Sequence, residues 1–319
     1  MKAVFLDYGT IGPEDLDHSP LEKAVADLTL YDSTTPQELP ARIHDAEIVY
    51  TNKIRFDDAT FGLAKSLKFI GLTATGTDNI DLDAARRHDV AVCNIRAYCT
   101  QSVVEHVFGV LLNFTHSLAK FNALVRAGEW QKADNFCKLD HPLRELSAMT
   151  MGIVGYGELG RGVAGIARQF NMRVLIARRR GTLPAIGDDR TDFDDLIEQS
   201  DVISLHCPLS EDTREMLGAE QFRRMKNDAI LINTARGGLI DSAALVNALE
   251  QGEIAAAAID VLPQEPPVDG NPLLDYRGDN LVMTPHVAWA TVEARQNAVD
   301  ELAANVAAFL AGERRNRVD

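Results

Sequence analysis

Short apolar, β-branched runs recur along the chain, separated by segments in which apolar residues return every three or four positions. "AVFLD" (3–7), "EIVYT" (47–51), "LKFIGLT" (67–73) and "VAVCN" (90–94) read as buried strands, and stretches such as "TPQELPARIHDA" between them carry a helical spacing. Alternation of this kind predicts an α/β architecture with mainly parallel sheets. Near residue 100 the pattern changes. "CTQSVVEHVFGVLLNFTHSLAKFNALVRAGEW" reads as one long helical stretch, with Val103, Val104, Val107, Val110 and Leu111 on one face, and is expected to bridge two halves of the molecule. Alternation resumes at residue 151 with "MGIVGYG", "RVLIA", "DVISLHCPL", "AILINTARG", "IAAAAIDVL" and "LVMTPH", the strand complement of a doubly wound nucleotide-binding sheet. A last helix, "TVEARQNAVDELAANVAAFLAG", follows, and the turn-rich "QEPPVDGNP" (264–272) reads as a surface loop.

Composition narrows the class. A chain of 319 residues, 46% hydrophobic and 25% charged, is an ordinary globular composition but longer than one core usually serves, so two domains are expected. No apolar run approaches the roughly 20 residues of a membrane span, and the opening "MKAVFLDYGT" runs straight into a strand without a cleavage signal. Cys93, Cys99, Cys137 and Cys207 lack paired spacing, which predicts reduced thiols in a cytoplasmic setting and no metal site. The net charge of −15 argues against nucleic acid as a partner.

The segment "MGIVGYGELGRGVAGIAR" contains Gly155-x-Gly157-x-x-Gly160 after an apolar strand and at the opening of a helix. In that context Gly155 permits the tight turn, Gly157 lets the backbone approach a pyrophosphate, and Gly160 lets helix and strand pack closely, with the helix N-terminus facing the anion. An Asp or Glu about 20 residues further on would bind the ribose 2′-hydroxyl of NAD. Here the strand "RVLIA" ends in Arg178, Arg179 and Arg180 instead. Cations there suit a 2′-phosphate, so NADP is the expected cofactor, with Arg178 and Arg179 as its candidate partners and NAD the alternative.

Ligands of open α/β sheets sit outside the carboxyl ends of the strands. Arg236 follows one strand, Asp260 ends another with Glu265 five residues later, and His286 follows a third. These types suit hydride transfer to a 2-keto acid. Arg236 can hold a carboxylate through a bidentate pair and polarise the keto oxygen. His286 can donate the proton the new hydroxyl needs, and Glu265 can hydrogen-bond and orient it.

With these motifs the chain resembles the D-isomer-specific 2-hydroxyacid dehydrogenase family almost end to end, through "GIVGYGELG", "LHCPLSEDT", "LINTARGGLID", "AIDVLPQEPP" and "TPHVAWAT" in family order. The resemblance implies two Rossmann-like doubly wound parallel-sheet domains: a discontinuous, flavodoxin-like substrate domain (1–99 and 287–319) and a dinucleotide-binding domain (100–286). It implies a catalytic set on Arg236, Glu265 and His286, and substrate-carboxylate binding by backbone N–H groups at Thr75 and Gly76 in "TATGTDNID". It places Ser102 and Asp260 near the nicotinamide, and Pro208 and Thr213 on the adenosine side. Further cofactor contacts are implied at Tyr156, Glu158, Leu159, Cys207, Thr234, Ala235 and Ala288, and at His286 itself. A homodimer is implied, with the long segment 121–147 in its interface. "NFCKLDHPLREL" and "TATGTDN" look most like the D-glycerate dehydrogenase/hydroxypyruvate (glyoxylate) reductase branch, while Trp289 departs from the small residue many members carry there. Reduction of a larger or more apolar 2-keto acid is the nearest alternative. A non-catalytic dinucleotide sensor, of the kind the family's corepressors represent, is the alternative from another class.

Overall fold

The structure is a computed structural model that describes every residue except Arg180 and 183–187. The chain divides into two compact units, Met1–Cys99 with Trp289–Asp319, and Thr100–Ala288.

In the first unit, strands β1 (Lys2–Phe5), β2 (Asp27–Leu30), β3 (Ile48–Thr51), β4 (Phe69–Leu72) and β5 (Ala91–Cys93) form a parallel sheet in the order β2-β1-β3-β4-β5. This is the flavodoxin-type order. Successive residues of β1 enter opposite cores: Ala3 and Phe5 join Tyr50, Phe69 and the last helix (Val292–Leu310), whereas Val4 and Leu6 join Val49, Ile70 and Val92. Burial on both faces explains why these strands read as continuous apolar runs. β2 was not anticipated. It is an edge strand, half-exposed and spelled Asp-Leu-Thr-Leu, so neither an apolar run nor a buried face marks it. The opposite edge is covered by the chain's own last residues: Arg317 bridges antiparallel to Cys93, and Val318 N–H donates to Val92 O at 2.9 Å. Unpaired edges invite intermolecular pairing, and this segment removes one.

In the second unit, β6 (Thr150–Val154), β7 (Arg173–Ile176), β8 (Val202–Leu205), β9 (Ile230–Asn233), β10 (Ala256–Ile259) and β11 (Leu281–Met283) are all parallel, in the order β11-β10-β9-β8-β6-β7. A single parallel bridge, Ala177 to Thr191, lies beyond β7. With that bridge as a vestigial strand, the order becomes that of a dinucleotide-binding sheet. The winding reverses between β6 and β8, and the crevice opens at their carboxyl ends.

The single long helix expected after residue 99 is two, Thr100–Thr115 and Leu118–Arg126. Ser117 between them is left-handed, with φ 49°. The Thr115 carbonyl, which a continuing helix would offer to residue 119, accepts from Arg144 N–H at 2.9 Å instead, and the Ser117 hydroxyl donates to Pro142 O at 3.0 Å. The chain returns to the first unit at Trp289, whereas 287 was expected. Val287 and Ala288 stay with the second unit because both N–H groups donate to the Asp260 carboxylate, at 2.9 and 3.0 Å. Trp289 instead packs with the first unit's core beside Tyr98. Among the described residues no helix is long and apolar enough to cross a membrane, no side-chain group could hold a metal ion, and all four cysteines are free thiols.

Candidate active site

The glycine loop leaves β6 at its carboxyl end. Gly155 has φ 98°, and a Cβ there would lie 2.5 Å from the Cys207 nitrogen in the loop after β8. Only glycine satisfies both constraints. A Cβ on Gly160 would lie 2.0 Å from the Gly155 oxygen, so the helix Glu158–Gln169 packs directly on its own loop. Gly157 is the N-cap of that helix, and a Cβ there would meet nothing within 4 Å. Close packing at Gly155 and Gly160 with open space at Gly157 is a cradle that fits a pyrophosphate. Tyr156 and Leu159 flank the cradle, half-buried. The Glu158 carboxylate accepts from the Thr100 hydroxyl at the start of the helix Thr100–Thr115.

Beyond β8, burial holds the Cys207 thiol up at about 11, and its sulfur lies 3.9 Å from that of Met216. The Thr213 hydroxyl donates to Pro208 O at 2.8 Å, closing its own turn. His206, two residues past Ser204, is held down at about 4 by burial, with Nε2 2.9 Å from the Ser204 hydroxyl. Its Nδ1 and the buried Thr234 hydroxyl have no hydrogen-bond partner among the described residues. Buried polar atoms are ordinarily satisfied, so these two at the carboxyl ends of β8 and β9 fit contacts with a bound polar molecule.

The arginines after β7 are not equivalent. Arg178 is buried in contacts within the chain: Nε donates to Asp188 Oδ2 at 2.9 Å, a terminal nitrogen pairs with Asp192, and the other donates to Arg190 O at 2.8 Å. Those carboxylates raise its pKa further, the hydrogen bond it donates to Asp188 foremost. Arg178 is thus engaged by Asp188, Asp192 and Arg190 of its own chain. Arg179 is 80% exposed, 4.0 Å from Asp212. Arg180 lies outside the described residues.

Three loops at the carboxyl ends of β9, β10 and β11 carry the proposed chemistry. Asn233, fully buried, shapes the first: its side chain accepts from Ala235 N–H at 3.0 Å and donates to Arg236 O at 2.9 Å. Sequence reasoning missed this residue, although an Asn ending an apolar strand before "TARGG" was a visible signal. A guanidinium nitrogen of Arg236 donates to Ala235 O at 2.8 Å. A Cβ on Gly237 would lie 2.0 Å from the Leu262 carbonyl carbon, so the Arg236 loop abuts the Glu265 loop backbone to backbone. Glu265 Oε1 accepts from Leu262 N–H at 2.8 Å, which aims its other oxygen at His286 Nδ1, 2.5 Å away.

Asp260 and Ser102 both contact the His286 loop. Asp260 is 3% exposed, and its carboxylate gathers the His286 loop: Oδ1 accepts from the Thr284 hydroxyl at 2.5 Å and Val287 N–H at 2.9 Å, Oδ2 from Ala288 N–H at 3.0 Å. The buried Ser102 hydroxyl donates to Ala288 O at 2.7 Å. Asp260, Ser102 and Ala288 are thus joined by hydrogen bonds that hold the loop.

In the first unit, Thr75 and Gly76 follow β4. The Thr75 hydroxyl donates to Ile95 O at 2.9 Å and its carbonyl accepts from Asn94 Nδ2 at 2.7 Å, which pins the turn from both sides.

The sequence pattern of the D-isomer specific 2-hydroxyacid dehydrogenase NAD binding domain matches residues 108–288. A glycerate dehydrogenase from Methylorubrum extorquens is 45% identical over 290 residues, covering 91% of each chain. A hydroxypyruvate reductase from Blautia hydrogenotrophica is 38% identical over 318 residues, 98% of each. The solved structure of an acyclic imino acid reductase in complex with NADPH and D-Arg superposes over all of both chains with a TM-score of 0.87 at 28% identity.

Proposed function

The chain belongs to the D-isomer-specific 2-hydroxyacid dehydrogenase family, and from that premise we propose that it is a cytoplasmic, NADPH-preferring reductase of hydroxypyruvate and glyoxylate. The observation that carries the reading is the 2.5 Å contact between Glu265 and His286 Nδ1, at the same sheet end as the glycine cradle. When bound, the nicotinamide supplies the hydride that becomes the new C–H bond at the keto carbon. His286 Nε2 gives its proton to the keto oxygen, and Glu265 holds the ring in the tautomer and orientation this needs. Arg236 pairs with the substrate carboxylate and polarises the carbonyl; Thr75 and Gly76 contribute backbone N–H groups to the carboxylate. The glycine cradle takes the pyrophosphate, with Pro208, Thr234 and Ala235 alongside.

NADPH preference rests on two features: no carboxylate stands at position 178 to accept from a ribose hydroxyl, and the exposed Arg179 is a cation at the neighbouring position. A single charge-assisted hydrogen bond to a 2′-phosphate corresponds to about one to two decades in affinity. Measured at low salt, because exposed pairs are screened, kcat/KM for hydroxypyruvate reduction is expected to favour NADPH, and Arg179→Ser to lose most of that preference. A wild type that favours NADH removes the cofactor proposal. A panel that also contains branched and aromatic 2-keto acids tests the substrate, and faster turnover of these than of hydroxypyruvate or glyoxylate removes that proposal.

A homodimer follows from the segment after the helix break. Phe136 is 90% exposed, Leu139 74%, Leu118 57% and Trp130 52%, an apolar concentration that a solvated monomer surface seldom carries. Sedimentation at micromolar concentration should give a dimer, and Phe136→Asp should weaken it; a wild-type monomer contradicts the assignment.

A further inference from the structure

His286 sits in a conformation that the loop does not favour by itself. Its φ is 57°, left-handed for a residue with a Cβ, a conformation that persists only where surrounding contacts impose it. The contacts come from two elements. From β10, Asp260 accepts from Thr284, Val287 and Ala288 with its side chain and from His286 N–H at 2.8 Å with its carbonyl. From the helix Thr100–Thr115, Ser102 reaches Ala288 O at 2.7 Å, and His106, one turn further on, places Nε2 3.4 Å from the Thr284 hydroxyl.

The polarity of this chain is determined. The Thr284 hydroxyl has one proton, and at 2.5 Å it goes to the Asp260 carboxylate, which can only accept. The hydroxyl oxygen is then the acceptor, and His106 must carry its proton on Nε2. We propose that His106 and Thr284 are positioning residues for the proton donor: His106 Nε2–H holds the Thr284 hydroxyl, which holds Asp260, which holds the His286 loop in its left-handed turn. Ser102 and His106 thus grip the loop at its two ends from one face of the helix, at i and i+4. At 3.4 Å the His106 contact is at the long end of the range, so most of the hold comes through Thr284 and Asp260. None of these groups needs to touch substrate.

The inference rests on His286 as proton donor, and the test separates the two. Thr284→Val keeps the shape and deletes the hydroxyl; kcat for the keto acid is expected to fall about tenfold, since small misplacements of a reacting group carry costs of that order. KM for NADPH should stay within about twofold and the melting temperature should be retained, because the cradle lies on other loops. Thr284→Ser should recover most of the loss. His106→Leu should cost about threefold by itself and nothing further in the Thr284→Val background, because the two act in series; His106→Gln, which can present an amide N–H, should recover most of it. Additive losses, or an unchanged kcat in folded Thr284→Val, overturn the inference. The separate failure, of His286 as donor, is read in His286→Ala, whose activity does not depend on how the loop is held.

Discussion

His286→Ala is expected to lower turnover of hydroxypyruvate by about 10²–10⁴-fold, the usual worth of a positioned general acid. The geometry makes the prediction sharp. Glu265 occupies Nδ1 at 2.5 Å and is itself fixed by Leu262 N–H at 2.8 Å, which assigns the proposed proton transfer to Nε2. The alanine variant should still bind NADPH, because the cradle at Gly155, Gly157 and Gly160 lies on a different loop, and binding can be followed by quenching of protein fluorescence without turnover. Glu265→Gln should fall in the same direction by a smaller factor, since an amide can hydrogen-bond the ring but brings no charge to the imidazolium partner. Near-normal turnover in His286→Ala removes the residue from the mechanism, and lost NADPH binding means the change acted through the fold.

Arg236→Lys is expected to raise KM for the keto acid and lower kcat, with a combined loss in kcat/KM of about two decades or more. Lysine keeps the charge but not the planar fork, so the two parallel hydrogen bonds to a carboxylate cannot both form. The loop around Arg236 is built to hold that fork: Asn233 closes it, Gly237 lets it abut Leu262, and Ala235 O accepts one guanidinium nitrogen at 2.8 Å. Binding of NADPH alone should change little. Unchanged kinetics for the keto acid contradict the carboxylate role, and a loss confined to KM for NADPH reassigns Arg236 to the cofactor.

Much of this site was legible in the chain before any coordinates. Gly155, Gly157 and Gly160 were legible because their roles depend on a few adjacent residues: a turn, a close approach and a helix start. Arg236, Glu265 and His286 were legible as strand-end residues because in a parallel sheet every strand delivers its carboxyl end to the same side. The same logic located all six strands of the second unit.

What the sequence could not determine is how polar groups pair. Arg178 follows an apolar strand as a cofactor-binding residue would, yet Asp188 and Asp192, ten and fourteen residues away, take its guanidinium. Asp260 ends its strand as a ligand-binding carboxylate would, yet four contacts turn it into the anchor of the next loop. Glu158, Ser102 and Thr213 each find a partner inside the protein. β2 and the break at Ser117 escaped for a related reason: one is an edge strand with half of its surroundings missing, the other is imposed by Arg144 claiming a helix carbonyl from outside the helix. Periodicity and turn chemistry are written locally and survive in one dimension. Which donor saturates which acceptor is settled only when distant segments are packed, because a hydrogen bond depends on tenths of an ångström that no spacing along the chain encodes.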